Sequence, residues 1–264
     1  MKTLTTLAVI GLLAILGVIT LSKLEVIAAV CFFRNYVPGH WYTSHFWSLA
    51  VEEHFYLFYP ALLMLIGRRH MKWAAIGISL ATAVWRVVDT RYNILTGLMP
   101  EGVYAAARTD YRLDAIMLGC LAAILLQDGM PPIPRWVPLV AGPVAMIILG
   151  GNLFGLFGLN ALIQAALIVI MLVSAVVTGD APLSRVLELA PLKWIGRLSY
   201  SLYLWQQLFF IGDGVVAPKL AWLQTLPVSA AAVLAFAALS YYVLERPMMK
   251  VGHRLGKSPV PGRE

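Results

Sequence analysis

The chain has 264 residues, 60% of them hydrophobic and only 12% charged, with a mean hydropathy of +0.79. A soluble domain carries about 25% charged residues, so this composition excludes an ordinary water-soluble protein. The formal charge of +7 reads as basic cytoplasmic loops rather than a nucleic-acid surface. Cys31 and Cys120 lie in apolar surroundings with no disulfide framework and no metal-ligand spacing. Both are read as packing residues, and no metal site is expected.

Apolar runs of about 20 residues, enough to cross about 30 Å of hydrocarbon, recur along the chain. They predict spans over 3–22, 47–66, 72–89, 112–127, 135–151, 158–178, 197–212 and 226–245. The expected fold is all-α, a polytopic transmembrane helical bundle of about eight spans. A β-barrel would show short alternating segments instead. The run from Met1 to Leu21 is too apolar for too long to be a signal peptide, and Val30 before Cys31 is not the small residue of a lipoprotein cleavage site. It reads as a retained transmembrane helix. Leu24 to Phe33 is apolar but too short to span, which suits an interfacial or re-entrant piece. Pro38-Gly39, the prolines between Gly129 and Pro134, and Pro227 punctuate the joints. A single transmembrane domain is expected over 1–250, followed by a basic cytoplasmic tail over 251–264.

Charge sets the orientation. With the N-terminus cytoplasmic, that side holds Lys2, Arg68, Arg69 and Lys72 at the short Gly67–Met71 turn, Arg135, Arg185, Lys193, Arg197, and Arg246, Lys250, Arg254, Lys257 and Arg263 at the C-terminal end. An even number of spans places both basic termini there, as expected for a multi-pass protein of the inner membrane. Residues 23–46 and 90–111 become the long loops of the opposite side, where function concentrates.

Four stretches carry polar residues that an apolar bundle must explain. In HFWSLAVEEHFYLFYP, Thr43 and Ser44 are expected to cap a helix from about Phe46. Ser48, Glu52, Tyr56 and Tyr59 or Pro60 then share one stripe, with His45 at its mouth. A carboxylate inside an apolar helix is a functional candidate by default. The alternative is an anion at headgroup level beside a helix N-terminus. Glu53 points about 100° away from Glu52 and suits a pairing with a loop arginine. In TDYRLDAIMLG, Arg112 and Asp114 are two apart and do not face each other, so each needs a partner on another helix. Glu52 or Glu53 is one partner for Arg112; a snorkelling interfacial arginine is the other reading. In WIGRLSYSLYLWQQLFF, Ser199, Tyr203 and Gln206 share a stripe, with Tyr200 and Gln207 on the next. They serve either as helix–helix contacts or as a substrate path. Trp194, Trp205 and Trp222 fit interfacial belts. In YYVLERP, Glu245-Arg246-Pro247 is expected to anchor and stop the last helix.

Together and in this order, the stretches resemble the acyltransferase-3 family of integral-membrane acyltransferases, which O-acylate sugars of the cell envelope and some small molecules. FWSLAVEEHFYLFYP looks like the family's W-S-L-x-x-E-E-x-F-Y-x-x-x-P segment through Trp47, Ser48, Leu49, Glu52, Glu53, Phe55, Tyr56 and Pro60. YRLDAIMLG, IGRLSYSLYLW and LERP look like its later segments. The resemblance runs from about Asn35 to Pro247. It implies an acyl-CoA donor, usually acetyl-CoA, used from the cytoplasm, with no tightly bound cofactor. It also implies a saccharide or lipid-linked glycan acceptor, a lipid bilayer around the protein, and no nucleic acid.

Transfer to a hydroxyl needs a base and a partner for the oxyanion of the thioester carbonyl. His45 or Glu52 is the expected base, and Arg112 stabilises charge or positions the acceptor. Ser48, Glu53, Tyr56, Asp114, Ser199 and Tyr203 are expected to line the substrate. The basic run Arg68-Arg69-His70-Lys72 suits the donor's phosphates, although the positive-inside pattern alone accounts for it.

The chain departs from the family pattern in three places. Family members carry ten spans, with an early helix holding an arginine and, eleven residues later, a histidine. No such helix precedes residue 35. Arg34 and His45 have that spacing, but Pro38-Gly39 lies between them, and Gln206 stands where the family often has histidine after Y-L-W. The chain is therefore read as a member short of its two N-terminal helices. The alternative reading is a catalytically degenerate relative that binds glycan or partner proteins, or a transporter.

Overall fold

The computed structural model describes residues 2–129, 133–134, 136–150, 157–177, 182–211 and 217–255. Arg135, the prolines at 131 and 132, and the basic tail from residue 256 onward lie outside the described residues.

No strand occurs among the described residues. The helices are α1 (Lys2–Ile15), α2 (Lys23–Val30), α3 (Trp41–Ser44), α4 (Phe46–Ile66), α5 (Arg68–Tyr92), α6 (Leu113–Gln127), α7 (Val137–Gly150), α8 (Phe157–Val177), α9 (Pro182–Leu187), α10 (Ala190–Phe209), α11 (Val228–Ser240) and α12 (Arg246–Leu255). A π-helical turn, Tyr241–Glu245, joins the last two. By length and composition, four helical stretches among the described residues suffice to cross a membrane: Trp41–Ile66, Arg68–Tyr92, Leu159–Val177 and Val228–Val251. α1, α6 and α7 are apolar but only 14, 15 and 14 residues long.

Local chemistry explains where elements differ from the expected ranges. α1 stops at Ile15 rather than near residue 22, because Gly17 adopts φ +64°, a left-handed turn in which its N–H bonds the Ala14 carbonyl. The expected turn over 67–71 contracts to Gly67 alone, at φ +73°. Arg68 to Lys72 are good helix formers and already belong to α5. Pro247 does not stop the last helix. It falls at the second position of α12, where a missing N–H costs little, just after the π-helical turn. Thr43 and Ser44 do not lead α4; they lie in α3, and their hydroxyls bond the His40 and Trp41 carbonyls. Trp205, expected in an interfacial belt, is buried with its ring 5.4 Å from that of Phe236, because its stripe of α10 faces α11. Cys31, expected to pack, is exposed.

The chain divides into two compact units. The first combines residues 1–30, 39–45 and 193–264. In it, Tyr200 of α10 bonds Thr3 of α1, and Ser201 donates to Glu245. The Gln207 side-chain amide donates to the Trp41 carbonyl and the Ser44 hydroxyl, both at 2.9 Å. Tyr200, Ser201 and Gln207 of α10 thus make contacts between segments of this unit. The second unit combines residues 31–38 and 46–192. There α5, α6 and α8 pack against one another, α7 lies along α8, and α4 along α5.

Candidate functional site

α4 has two chemically distinct faces. At about 100° per residue, Trp47, His54, Phe58 and Leu65 fall on one face. Ser48, Glu52 and Tyr56 fall on another, roughly 140° away for Glu52. Glu52 and Glu53 are exposed, Tyr56 is 61% exposed and Ser48 half-buried.

The Trp47 face borders a cavity of about 470 Å³ formed by α4, α5, α6 and the segments around Tyr36 and Thr109. Phe58, Leu62, Ile78 and Met117 make its walls apolar. Its polar end is closed by groups that satisfy one another. Asn35 donates to the Thr109 hydroxyl at 2.8 Å, and that hydroxyl lies 2.7 Å from His54 Nδ1. Tyr36 donates to Asp110 Oδ1 at 3.4 Å and Trp85 to Asp110 Oδ2 at 2.7 Å. Burial, and then the nearby Asp110 charge, push the Tyr36 hydroxyl above its ordinary range.

Behind this end lies a buried charge network. Arg108, fully buried, bonds Asp89 at 2.9 Å, Thr96 at 2.8 Å and Asp110. Asp89 also accepts from the Tyr111 hydroxyl and the Leu95 and Thr96 N–H groups. Burial alone would pull the Arg108 guanidinium down; its bonds to Asp110 and Asp89 outweigh that and hold it above the ordinary arginine value. Arg86 and Asp114 form a second buried pair, in which Arg86 also donates to the Tyr111 carbonyl at 2.8 Å.

Arg112 differs from both. It is half-buried, its Nε donates to the Ala106 carbonyl at 2.6 Å, and its guanidinium lies 5.0 Å from the Trp47 ring centre. Its two terminal nitrogens have no hydrogen-bond partner among the described residues. No ion pair joins it to Glu52 or Glu53 there; its aromatic partner on α4 takes that place. Asp114 finds its partner on another helix, as the two-residue spacing requires, in Arg86 of α5.

The remaining site residues from the sequence belong to the first unit. His45 is buried, with its ring edge-on to that of Tyr203 at 5.7 Å, and the Tyr203 hydroxyl donates to the His45 carbonyl at 2.7 Å. Ser199 is exposed on α10. The structure therefore brings His45 to Tyr203, and Arg112 to Trp47. Ser48, Glu52 and Tyr56 do not line the cavity, whereas Tyr59 of the same expected stripe does.

Sequence reasoning missed His54, although the seven-residue step from Trp47 places both on one stripe. It also missed Glu25, which was visible as a capping box, Ser22-x-x-Glu25. The Ser22 N–H bonds Glu25 at 2.7 Å, and the Glu25 N–H bonds the Ser22 hydroxyl at 3.2 Å. Glu25 also takes the His40 ring at 2.8 Å and the Thr43 hydroxyl at 3.1 Å.

Among curated proteins, the chain is 27% identical to the peptidoglycan O-acetyltransferase OatA of Listeria monocytogenes, over 79% of this chain and 35% of that protein. It is 24% identical to the O-acetyltransferase OatA of Staphylococcus aureus, over 88% of this chain and 42% of that protein. The chain thus spans less than half the length of these relatives. No solved structure matches it. The acyltransferase-domain model of the acyltransferase-3 family matches residues 3–244, nearly the whole chain, and the chain belongs to that family.

Proposed function

We propose that the protein is a membrane-bound O-acyltransferase that moves an acetyl group from acetyl-CoA to a hydroxyl of a cell-envelope saccharide. The observation that carries this reading is Arg112. Of the three arginines around the 108–114 segment, Arg86 and Arg108 are consumed by buried carboxylates. Arg112 is held by Trp47 and the Ala106 carbonyl with its terminal N–H groups available. Family membership and the two OatA relatives agree with that chemistry.

In this mechanism Glu52 takes the proton of the acceptor hydroxyl. The oxygen attacks the thioester carbonyl, and the Arg112 fork receives the negative charge on the carbonyl oxygen. Collapse expels the CoA thiolate and leaves the ester on the sugar. Ser48, Glu53 and Tyr56 are the remaining substrate contacts of this reading, and Asp114 acts through Arg86 as a positioning residue. The chain is multi-pass with about eight spans, α1, α6, α7 and α10 completing the four longer ones, and both termini are cytoplasmic.

The test is acetyl transfer by purified protein in detergent. Arg112→Gln is expected to lower turnover by about 10²–10³-fold, the loss typical of removing one oxyanion partner. An unchanged rate in a folded Arg112→Gln protein would sink the assignment.

A further inference from the structure

Two contacts orient the Arg112 guanidinium. Its carbon lies 5.0 Å from the Trp47 ring centre, and its Nε donates to the Ala106 carbonyl at 2.6 Å. A planar fork held at one face and one edge has its remaining edge aimed in a set direction. Trp47 sits on α4, a helix of 21 residues. Ala106 sits in a short 3-10 turn, Ala105–Ala107, whose methyl side chains offer little grip. The turn therefore takes its position from what flanks it.

Asp89, near the end of α5, holds both flanks. Its side chain is fully buried. Oδ1 accepts from the Leu95 N–H at 2.6 Å and the Thr96 N–H at 3.2 Å. Oδ2 accepts from the Thr96 hydroxyl at 2.8 Å, from Arg108 at 2.9 Å and from the Tyr111 hydroxyl at 2.9 Å. Arg108 follows the turn, and its backbone N–H closes it on the Ala105 carbonyl at 3.1 Å. Tyr111 directly precedes Arg112, and its ring centre lies 4.7 Å from the Arg108 guanidinium. One carboxylate thus ties down the turn whose carbonyl holds Arg112 Nε and the backbone from which Arg112 springs.

Resting on the proposed role of Arg112, we infer that Asp89 is a positioning residue for acetyl transfer: through Arg108 and Tyr111 it fixes the direction of the Arg112 fork. Without it the fork keeps its charge and loses its aim. A displaced charge partner raises the barrier and leaves ground-state binding alone, so the loss falls on kcat.

The test is a double-mutant cycle in the acetyl-transfer assay, with acetyl-CoA and a soluble N-acetylhexosamine oligomer. Asp89→Asn should lower kcat about 10- to 100-fold while both KM values stay within about twofold of wild type. On an Arg112→Gln background the same change should alter kcat less than about threefold, because no fork is left to aim. Equal losses on both backgrounds would make Asp89 a structural residue only and overturn the inference. Thr96→Val removes a hydroxyl that bonds both Asp89 and Arg108. It should repeat the pattern in smaller measure, and Thr96→Ser should restore kcat; where Asp89→Asn does not fold, the cycle is run on Thr96→Val. If the wild type transfers no acetyl group, or Arg112→Gln is as fast as wild type, the proposed function has failed. The positioning is then judged alone, by the rate at which phenylglyoxal modifies Arg112, read by mass spectrometry. A changed rate in Asp89→Asn or Thr96→Val supports it, and rates equal to wild type in both rule it out.

Discussion

Arg86, Arg108 and Arg112 have the same side chain and three different fates. The first two are buried and neutralised by Asp114, Asp89 and Asp110, so they hold loops and helices in place. Arg112 stacks on Trp47 and keeps two donors open. A guanidinium can do this and an ammonium cannot, because only the planar fork stacks and bonds bidentately. Arg112→Lys should therefore lose most of the activity that Arg112→Gln loses, read as kcat in the same assay. Glu52→Gln should abolish acetyl transfer while the membrane level of the protein is preserved; wild-type rates would remove Glu52 from the mechanism. Glu25 makes a separate prediction. Burial opposes its ionisation, but the Ser22 and His40 hydrogen bonds win and lower its pKa from 4.5 to about 2. The folded state thus favours the carboxylate. Its contribution to stability is fully present above about pH 4.5 and is lost as pH falls toward 2. Thermal unfolding in detergent should show the wild type losing stability across that window, and Glu25→Gln, already weaker at pH 7, losing less.

At the scale of elements, α4 divides its work between faces. Glu52, Ser48 and Tyr56 stay out of the cavity, which takes His54, Phe55, Phe58 and Tyr59, while Trp47 carries the Arg112 guanidinium. The period of 3.6 made both stripes legible, but it did not say which would meet α5 and α6. Carboxylates drew attention to the first stripe because charge in an apolar helix is conspicuous, whereas a histidine paired with a threonine hydroxyl is not. α5 and α6 are fastened by the Arg86–Asp114 pair, with both side chains at most 3% exposed. Removing one partner strands a buried charge, so Asp114→Ala should cost about 3–5 kcal/mol in denaturant unfolding. A loss below about 1 kcal/mol, the worth of an exposed pair, would mean the site is wetter than its burial implies.

At the scale of the whole molecule, orientation is the testable quantity. In a Cys31→Ser, Cys120→Ser background, a cysteine at Glu101 should react with an impermeant maleimide added outside the cell. A cysteine at Lys250 should react only after the membrane is opened. Labelling of both from outside would break the assignment of cytoplasmic termini. The span count has the same dependence on context. Hydropathy marks eight apolar segments, yet among the described residues four are long and apolar enough by themselves: Gly17 shortens α1, and α10, 20 residues long, is diluted by Lys193, Arg197, Gln206 and Gln207.

Composition and period determined by themselves that this is an all-helical chain with segments built for lipid, because burying backbone polar groups in hydrocarbon leaves few other solutions. The ordered motifs determined its family, because each fixes several residues at set spacings on one helix. Which partner each charge takes was decided by tertiary structure alone. Arg112 met an aromatic ring instead of a carboxylate, and Asp114 met Arg86, 28 residues away. The cavity likewise exists only where three helices and two loops converge. Those pairings depend on which faces come together in space, and spacing along one helix cannot encode the face of another.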